Sequence, residues 1–250
     1  MKAVRRPVLL HGLTGSSGTW PHRVVDGLTD AGHAPVLVDL PGHGHHVGTC
    51  DPAQLSLDVA LSDIHRAGEW PAGLVGYSMG GRLALHFALA HPSEVTRLVL
   101  ESASPGLETE AERAARRAAD EELAALLERE GIERFVDLWE SLPLFASQAR
   151  LEAETRARHR RLRLANRPRS LAAALRGLGP GRLPSLWERL SEVAMPTLLV
   201  AGALDPRFVE IAERMASAMP DARLTVIPDA GHAVHLERPG AWLEAVKAFL

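Results

Sequence analysis

Short runs of leucine and β-branched residues, each bounded by Gly, Pro or Asp, alternate along this chain with stretches whose apolar positions recur at helical spacing. The runs lie at 7–10, 35–40, 73–77, 96–100, 197–201 and 224–227. Apolar runs this short and this continuous suit strands buried on both faces, and the amphipathic stretches between them supply the covering helices. Crossover helices are expected at 53–67, 81–91, 206–218 and 240–250, the last started by Pro239-Gly240. The pattern predicts an α/β chain with a mainly parallel six-stranded sheet flanked by helices and joined by right-handed connections.

Between 103 and 188 the rhythm breaks: no strand-like run occurs there, and at least four helical segments do. The expected organisation is therefore a core of 1–102 and 189–250 carrying an inserted helical cap at 103–188. Thr109 and Glu112 have capping-box spacing, apolar residues at 115, 119, 123, 126 and 127 mark one face, and Gly131 is a stop. Phe135, Leu138 and Trp139 sit on a second segment that ends at Pro143; 150–166, 170–178 and 184–190 complete the set.

Composition adds exclusions. With 250 residues, 46% hydrophobic, 24% charged and a formal charge of −3, this is the composition of an ordinary globular chain, and no nucleic-acid partner follows from it. The apolar start is broken at His11-Gly12, which leaves no signal-peptide core, and no run reaches the ~20 residues of a membrane span. One cysteine, Cys50, forms no internal disulfide, so a cytoplasmic location is expected. Of 28 basic residues only Lys2 and Lys247 are lysine. A GC-rich genome accounts for that excess as a whole, so only particular arginines carry functional weight.

The chemistry concentrates in Gly76-Tyr77-Ser78-Met79-Gly80, a G-x-S-x-G that follows a strand and opens a helix. A serine on so sharp a turn projects its hydroxyl from the carboxyl edge of the sheet, at the positive end of a helix. A hydroxyl is inert at neutral pH without an imidazole, and the imidazole needs an acceptor to fix its tautomer. Asp205 follows the 197–201 strand and His232 follows the next, in the order Ser, acid, His. Glu101, at the end of the 96–100 strand, is an alternative acid, less well placed than Asp205 before a helix. His235 reads as packing. The backbone N–H groups of Leu13, after the first strand, and of Met79 are the candidate oxyanion donors, with His11 bracing the loop. His43, His45 and His46 match no standard metal spacing, and neither metal nor organic cofactor is expected.

Taken together these residues resemble the α/β-hydrolase superfamily over the whole chain. Four further segments resemble the 2-succinyl-6-hydroxy-2,4-cyclohexadiene-1-carboxylate synthase family of menaquinone biosynthesis: 98–107, the cap segments 139–148 and 175–179, and Ala230-Gly231-His232-Ala233-Val234-His235-Leu236-Glu237. The resemblance implies a lyase that eliminates pyruvate from 2-succinyl-5-enolpyruvoyl-6-hydroxy-3-cyclohexene-1-carboxylate. Such a small polycarboxylate needs cations, and arginine's planar fork suits a carboxylate. Arg82, one turn after Ser78, is expected to reach back over it. Arg116 borders the apolar face of the first cap helix and also has Glu112 and Asp120 within pairing distance in sequence. Arg163, in Leu162-Arg163-Leu164, matches the family's third substrate-binding arginine, and Tyr77 and Trp139 match site-lining positions. Leu13 departs from the family's usual aromatic residue, and the closeness of the first strand to Met1 predicts a sheet of order 2-1-3-4-5-6 without the family's N-terminal hairpin. The alternative reading is a serine carboxylesterase or C–C bond hydrolase; a binding module that kept the fold is a third. Oligomeric state is left open.

Overall fold

The structure is a computed structural model that describes residues 5–46, 51 and 55–250. Cys50 and the first four residues, on which the disulfide and leader expectations partly rest, lie outside the described residues.

Six strands form one wholly parallel sheet: β1 (Val8–Leu10), β2 (Val36–Val38), β3 (Ala72–Tyr77), β4 (Val95–Glu101), β5 (Thr197–Gly202) and β6 (Ala222–Ile227), in the order β2-β1-β3-β4-β5-β6. The expected strands and their order are all present. Period-two alternation explains the unbroken apolar runs. Leu10, Leu74, Leu98, Leu100, Leu199 and Ala201 pack into the core on one face, while Leu9, Val75, Val99, Leu198 and Val200 pack into the core on the other.

Helices α2 (Leu57–Ala67), α3 (Met79–Ala90) and α7 (Pro206–Ala218) cover the first face. Helices α1 (His22–Asp30) and α9 (Pro239–Phe249) cover the second, around Trp20 and Trp242. Helix α1 was not among the expected elements.

The insertion after β4 begins with a 32-residue helical run, α4 (Glu110–Ser141). Its capping box is formed: Thr109 Oγ1 accepts from the Glu112 N–H at 3.2 Å, and the Glu112 carboxylate accepts from the Thr109 N–H at 2.8 Å. Gly131 adopts φ +82° and ψ −178°, so the run is two helices meeting at a bend, where the sequence places its stop. Helix α5 (Ala153–Leu164) and helix α6 (Pro168–Leu178) follow. A separate apolar cluster joins α4 to α6 through Leu127, Phe135, Val136, Trp139, Leu171 and Leu175. The expected apolar face of α4 is only partly right. Ala115 and Ala119 are exposed, Ala119 at the chamber wall, and Asp120 is buried instead, beside Gly179 at the end of α6. Beyond α6, Leu183, Leu186 and Leu190 return to the main core.

Candidate active site

Ser78 sits between β3 and α3 with φ +51° and ψ −107°, a region that costs a non-glycine residue on the order of 1–3 kcal/mol. Two backbone hydrogen bonds hold it there: the Ser78 N–H donates to the Glu101 carbonyl at 2.9 Å, and the Gly80 N–H donates to the His11 carbonyl at 3.1 Å. The turn is possible only because Gly76 and Gly80 lack side chains. A Cβ on Gly76 would stand 2.5 Å from the Gly80 carbonyl oxygen, and one on Gly80 would stand 2.4 Å from that of Leu10.

Asp205 ends the loop after β5 and caps α7, its Oδ1 accepting from the Phe208 N–H at 3.4 Å. Its Oδ2 lies 2.8 Å from His232 Nδ1. A carboxylate can only accept, so the proton sits on Nδ1 and His232 Nε2 is left to accept from Ser78 Oγ at 3.0 Å. Asp205 and His232 are both buried, and the Phe208 ring stands edge-on to the imidazole at 4.6 Å. The Glu237 carboxylate grips the loop that carries His232, accepting from the Gly231 N–H at 2.7 Å and the Ala233 N–H at 3.3 Å.

The alternative acid is engaged elsewhere. Glu101 is fully buried and bonds His235, to Nδ1 at 2.8 Å and to the backbone N–H at 3.1 Å. His235, on the short helix α8 (Val234–Glu237), is therefore more than packing: it pairs with Glu101 and lies against the rings of Trp20 and Tyr77.

Ser78 and His232 open into a chamber of about 330 Å³ under α4 and α6, lined also by Leu13, Met79, Arg82 and Arg116. The backbone N–H groups of Leu13 and Met79 have no protein acceptor among the described residues. His11 braces the loop before Leu13 as expected. Its Nε2 accepts from the Leu40 N–H at 3.0 Å, which leaves Nδ1 to donate to the Gly12 carbonyl at 2.8 Å. Burial lowers the His11 pKa to about 4, so the ring is neutral. Burial, then the neighbouring His11, lowers that of His43 to about 3.

The arginines separate into distinct environments. Burial and then Arg116 draw the Arg82 pKa down to about 10, and it remains charged at neutral pH. Arg116 lines the chamber and at the same time donates through Nε to Asp120 Oδ1 at 2.8 Å. Burial raises the Asp120 pKa in spite of Arg116. Arg163 is not in the chamber. It lines an adjoining recess with His159, Gln148 and His235, and its fork is held by Glu140 at 2.8 Å and Gln148 at 3.1 Å. Tyr77 and Trp139 belong to the wall shared by both spaces. Burial, then His235 and Arg163, lowers the His159 pKa to about 3.

Comparison with known proteins fits this geometry. Residues 8–239 match the alpha/beta hydrolase fold family. Over 97% of this chain and 89% of the relative, it is 40% identical to a Bacillus subtilis (strain 168) protein provisionally named 2-succinyl-6-hydroxy-2,4-cyclohexadiene-1-carboxylate synthase. A protein of that name from Enterobacter sp. (strain 638) is 34% identical over 94% of this chain and 87% of its own length. The chain belongs to this synthase family of the α/β-hydrolase fold. The solved structure of MenH from S. aureus superposes on it with a TM-score of 0.91 at 37% identity, covering 98% of this chain and 93% of that one.

Against this synthase-family background, Glu237, Phe208 and Arg207, which also lines the chamber, went unremarked in the sequence as site residues. Glu237 carried a faint signal, an acid inside the apolar turn Val234-His235-Leu236. Arg207 carried none beyond following Asp205-Pro206, because its proximity to Arg82 and Arg116 exists only in three dimensions.

Proposed function

We propose that this protein is a carbon–oxygen lyase that eliminates pyruvate from 2-succinyl-5-enolpyruvoyl-6-hydroxy-3-cyclohexene-1-carboxylate, with Ser78, His232 and Asp205 as its catalytic residues. The observation that carries the proposal is the coincidence in one chamber of a Ser–His pair at 3.0 Å with the side chains of Arg82 and Arg116. The family relationship supports the same reading.

In the proposed reaction His232 Nε2 takes the Ser78 proton as Ser78 Oγ takes a proton from the substrate ring. The electron pair of the broken C–H bond moves through the ring and expels the enolpyruvoyl oxygen, so the C–O bond breaks. The departing enolate takes a proton from the imidazolium and becomes pyruvate, and no water is consumed. Charge developing on the substrate's carbonyl oxygen is met by the Leu13 and Met79 N–H groups, and Asp205 stabilises the imidazolium between the two transfers. Arg82 and Arg116 hold carboxylates of the substrate, and Tyr77 and Trp139 line its site. We assign the recess beside the chamber to the same substrate site, with Arg163 at its far end.

The insertion 103–188 is read as a cap domain over a core of 1–102 and 189–250, and the working compartment as the cytoplasm. Among the described residues no helix is long and apolar enough to cross a membrane.

The same triad geometry serves ester hydrolysis, and a hydrolase from Pseudomonas aeruginosa PA01 superposes with a TM-score of 0.81 at 26% identity. Neutral esters have no use for a chamber lined with guanidinium groups, which favours the lyase. Incubation with the enolpyruvoyl precursor and enzymatic detection of pyruvate decides between them. Stoichiometric pyruvate is expected, and rapid turnover of p-nitrophenyl acetate with no pyruvate from the precursor refutes the lyase.

A further inference from the structure

The chamber cations are unequally matched by the protein's own acids. Arg116 bonds Asp120, and Arg82 lies close enough to Asp120 for that carboxylate to favour its charged form. In the recess, Arg163 bonds Glu140. Arg207 lines the same chamber as Ser78, is exposed, and has no carboxylate partner among the described residues.

It is the second residue of α7, whose N-cap carboxylate, Asp205, is engaged by His232 Nδ1 and the Phe208 N–H. Arg207, Arg82 and Arg116 line the chamber together, and no acid is among the described residues that line it. An arginine that faces such a chamber with no carboxylate partner of its own is suited to take an anion from outside the protein.

The adjacent residue narrows the choice of anion. Phe208 packs its ring on His232 at 4.6 Å, so Arg207 stands on the His232 side of the chamber, while Arg116 reaches in from α4. On the proposed mechanism the group protonated by His232 is the departing enolate.

We infer that Arg207 is a further substrate-binding residue, which takes the carboxylate of the enolpyruvoyl group and of the pyruvate released from it. This rests on the proposed lyase reading for the identity of the leaving group, but not for the binding of a carboxylate as such.

The test compares the intact protein with Arg207→Ala and Arg207→Lys, using steady-state kinetics on the enolpyruvoyl precursor and saturation-transfer NMR with pyruvate and, separately, succinate. Arg207→Ala is expected to raise KM about tenfold with kcat within about threefold, and to weaken pyruvate more than succinate. Arg207→Lys should recover part of the loss, as a point charge replaces a fork. The KM effect should shrink as salt rises, because the group is exposed. The rate at which a fluorophosphonate labels Ser78 should be the same in all three proteins, which separates loss of binding from damage to the triad. A KM within twofold of the parent in Arg207→Ala overturns the inference, as does an equal loss for succinate and pyruvate. Should the parent bind pyruvate through Arg207 yet release none from the precursor, the lyase reading fails and Arg207 stands as a carboxylate ligand.

Discussion

Replacing Asp205 by Asn alters one atom of a buried carboxylate and tests which acid serves His232. The two oxygens do different work: Oδ2 accepts from His232 Nδ1 at 2.8 Å, and Oδ1 accepts from the Phe208 N–H at 3.4 Å. An amide cannot satisfy both. With its oxygen toward His232, its NH2 opposes the Phe208 N–H and the cap of α7 is lost, a cost of about 1 kcal/mol or less at that distance. With its NH2 toward His232, Nδ1 must accept, the proton moves to Nε2, and the ring can no longer take the proton of Ser78 Oγ, 3.0 Å away. Either orientation also removes the negative charge that stabilises the imidazolium in this buried setting. Mis-set tautomers of this kind cost roughly 10⁴ in turnover, equivalent to about 5.5 kcal/mol on the barrier. The expected result is a kcat for pyruvate release lower by 10³ to 10⁴, roughly, with unfolding free energy changed by only about 1 kcal/mol. Coupled detection of pyruvate and a denaturant titration measure the two. The isosteric Glu101→Gln, which touches His235 instead, should stay within about tenfold of the parent. Near-normal turnover in Asp205→Asn, or a collapse confined to Glu101→Gln, refutes the assignment.

If Arg116 anchors substrate in the ground and transition states alike, as proposed, Arg116→Ala should raise KM for the precursor by about tenfold while leaving kcat nearly intact; unchanged constants would place it outside the site. Gly80→Ala drives a Cβ to 2.4 Å from the Leu10 carbonyl and 2.5 Å from that of His11, both backbone. A loss of about 3 kcal/mol or more is expected by thermal melt, and an unaltered midpoint would contradict the tight turn. Acid should destabilise the fold through histidines held neutral, His11 and His86 with pKa lowered to about 4 and His43 and His159 to about 3. The unfolded chain binds protons at these groups below about pH 6.5 while the native state does not, so stability is present above that pH and falls as pH drops toward the folded values. The slope is up to ~1.4 kcal/mol per pH unit for each histidine. Denaturant midpoints at pH 7.5 and pH 5 that coincide would sink this account.

What the sequence disclosed depended on whether the signal was local. The strands were legible because burial on both faces makes every position apolar, as in Leu98-Val99-Leu100. Helix α1 was not. Only Val24 and Leu28 of its nine residues are buried, and Gly27, a poor helix former, sits in its middle. The reason for that glycine lies in another part of the chain: a Cβ there would come within 2.1 Å of Leu243 on α9. The triad was legible from motif and order. By contrast, the Glu101–His235 pair spans 134 residues, and the Arg163–Glu140 pair depends on how α5 folds back on α4. Asp120 looks like an ordinary helix-surface acid until packing beside Gly179, at the end of α6, buries it.

On the proposed mechanism, the electrostatics of the chamber suit a hydrolase-type triad to proton abstraction. Helices α3 and α7 both begin at its rim, Met79 and Arg207 being among its lining residues; the positive end of α3, which has no acid in its first turn, faces the same space as the guanidinium groups, while the Asp205 carboxylate caps α7. Asp120 offsets part of this charge, from a buried position behind Arg116 rather than inside the chamber. An anionic substrate entering here gains at every cation. More important for rate, the negative charge that moves from the ring to its carbonyl oxygen, and then to the leaving enolate, stays within reach of fixed dipoles that need not reorganise. A neutral ester would collect only the last of these benefits. The same field should lower the barrier for any carbon acid that carries its carboxylates at the right distance from Ser78, so on the proposed reading selectivity follows from the spacing of Arg82, Arg116 and Arg207 more than from the triad. Removing one of those charges, as in Arg207→Ala, should then cost far more in kcat/KM on the precursor than in reactivity of Ser78 toward a fluorophosphonate. Equal losses on both would show that the cations are incidental.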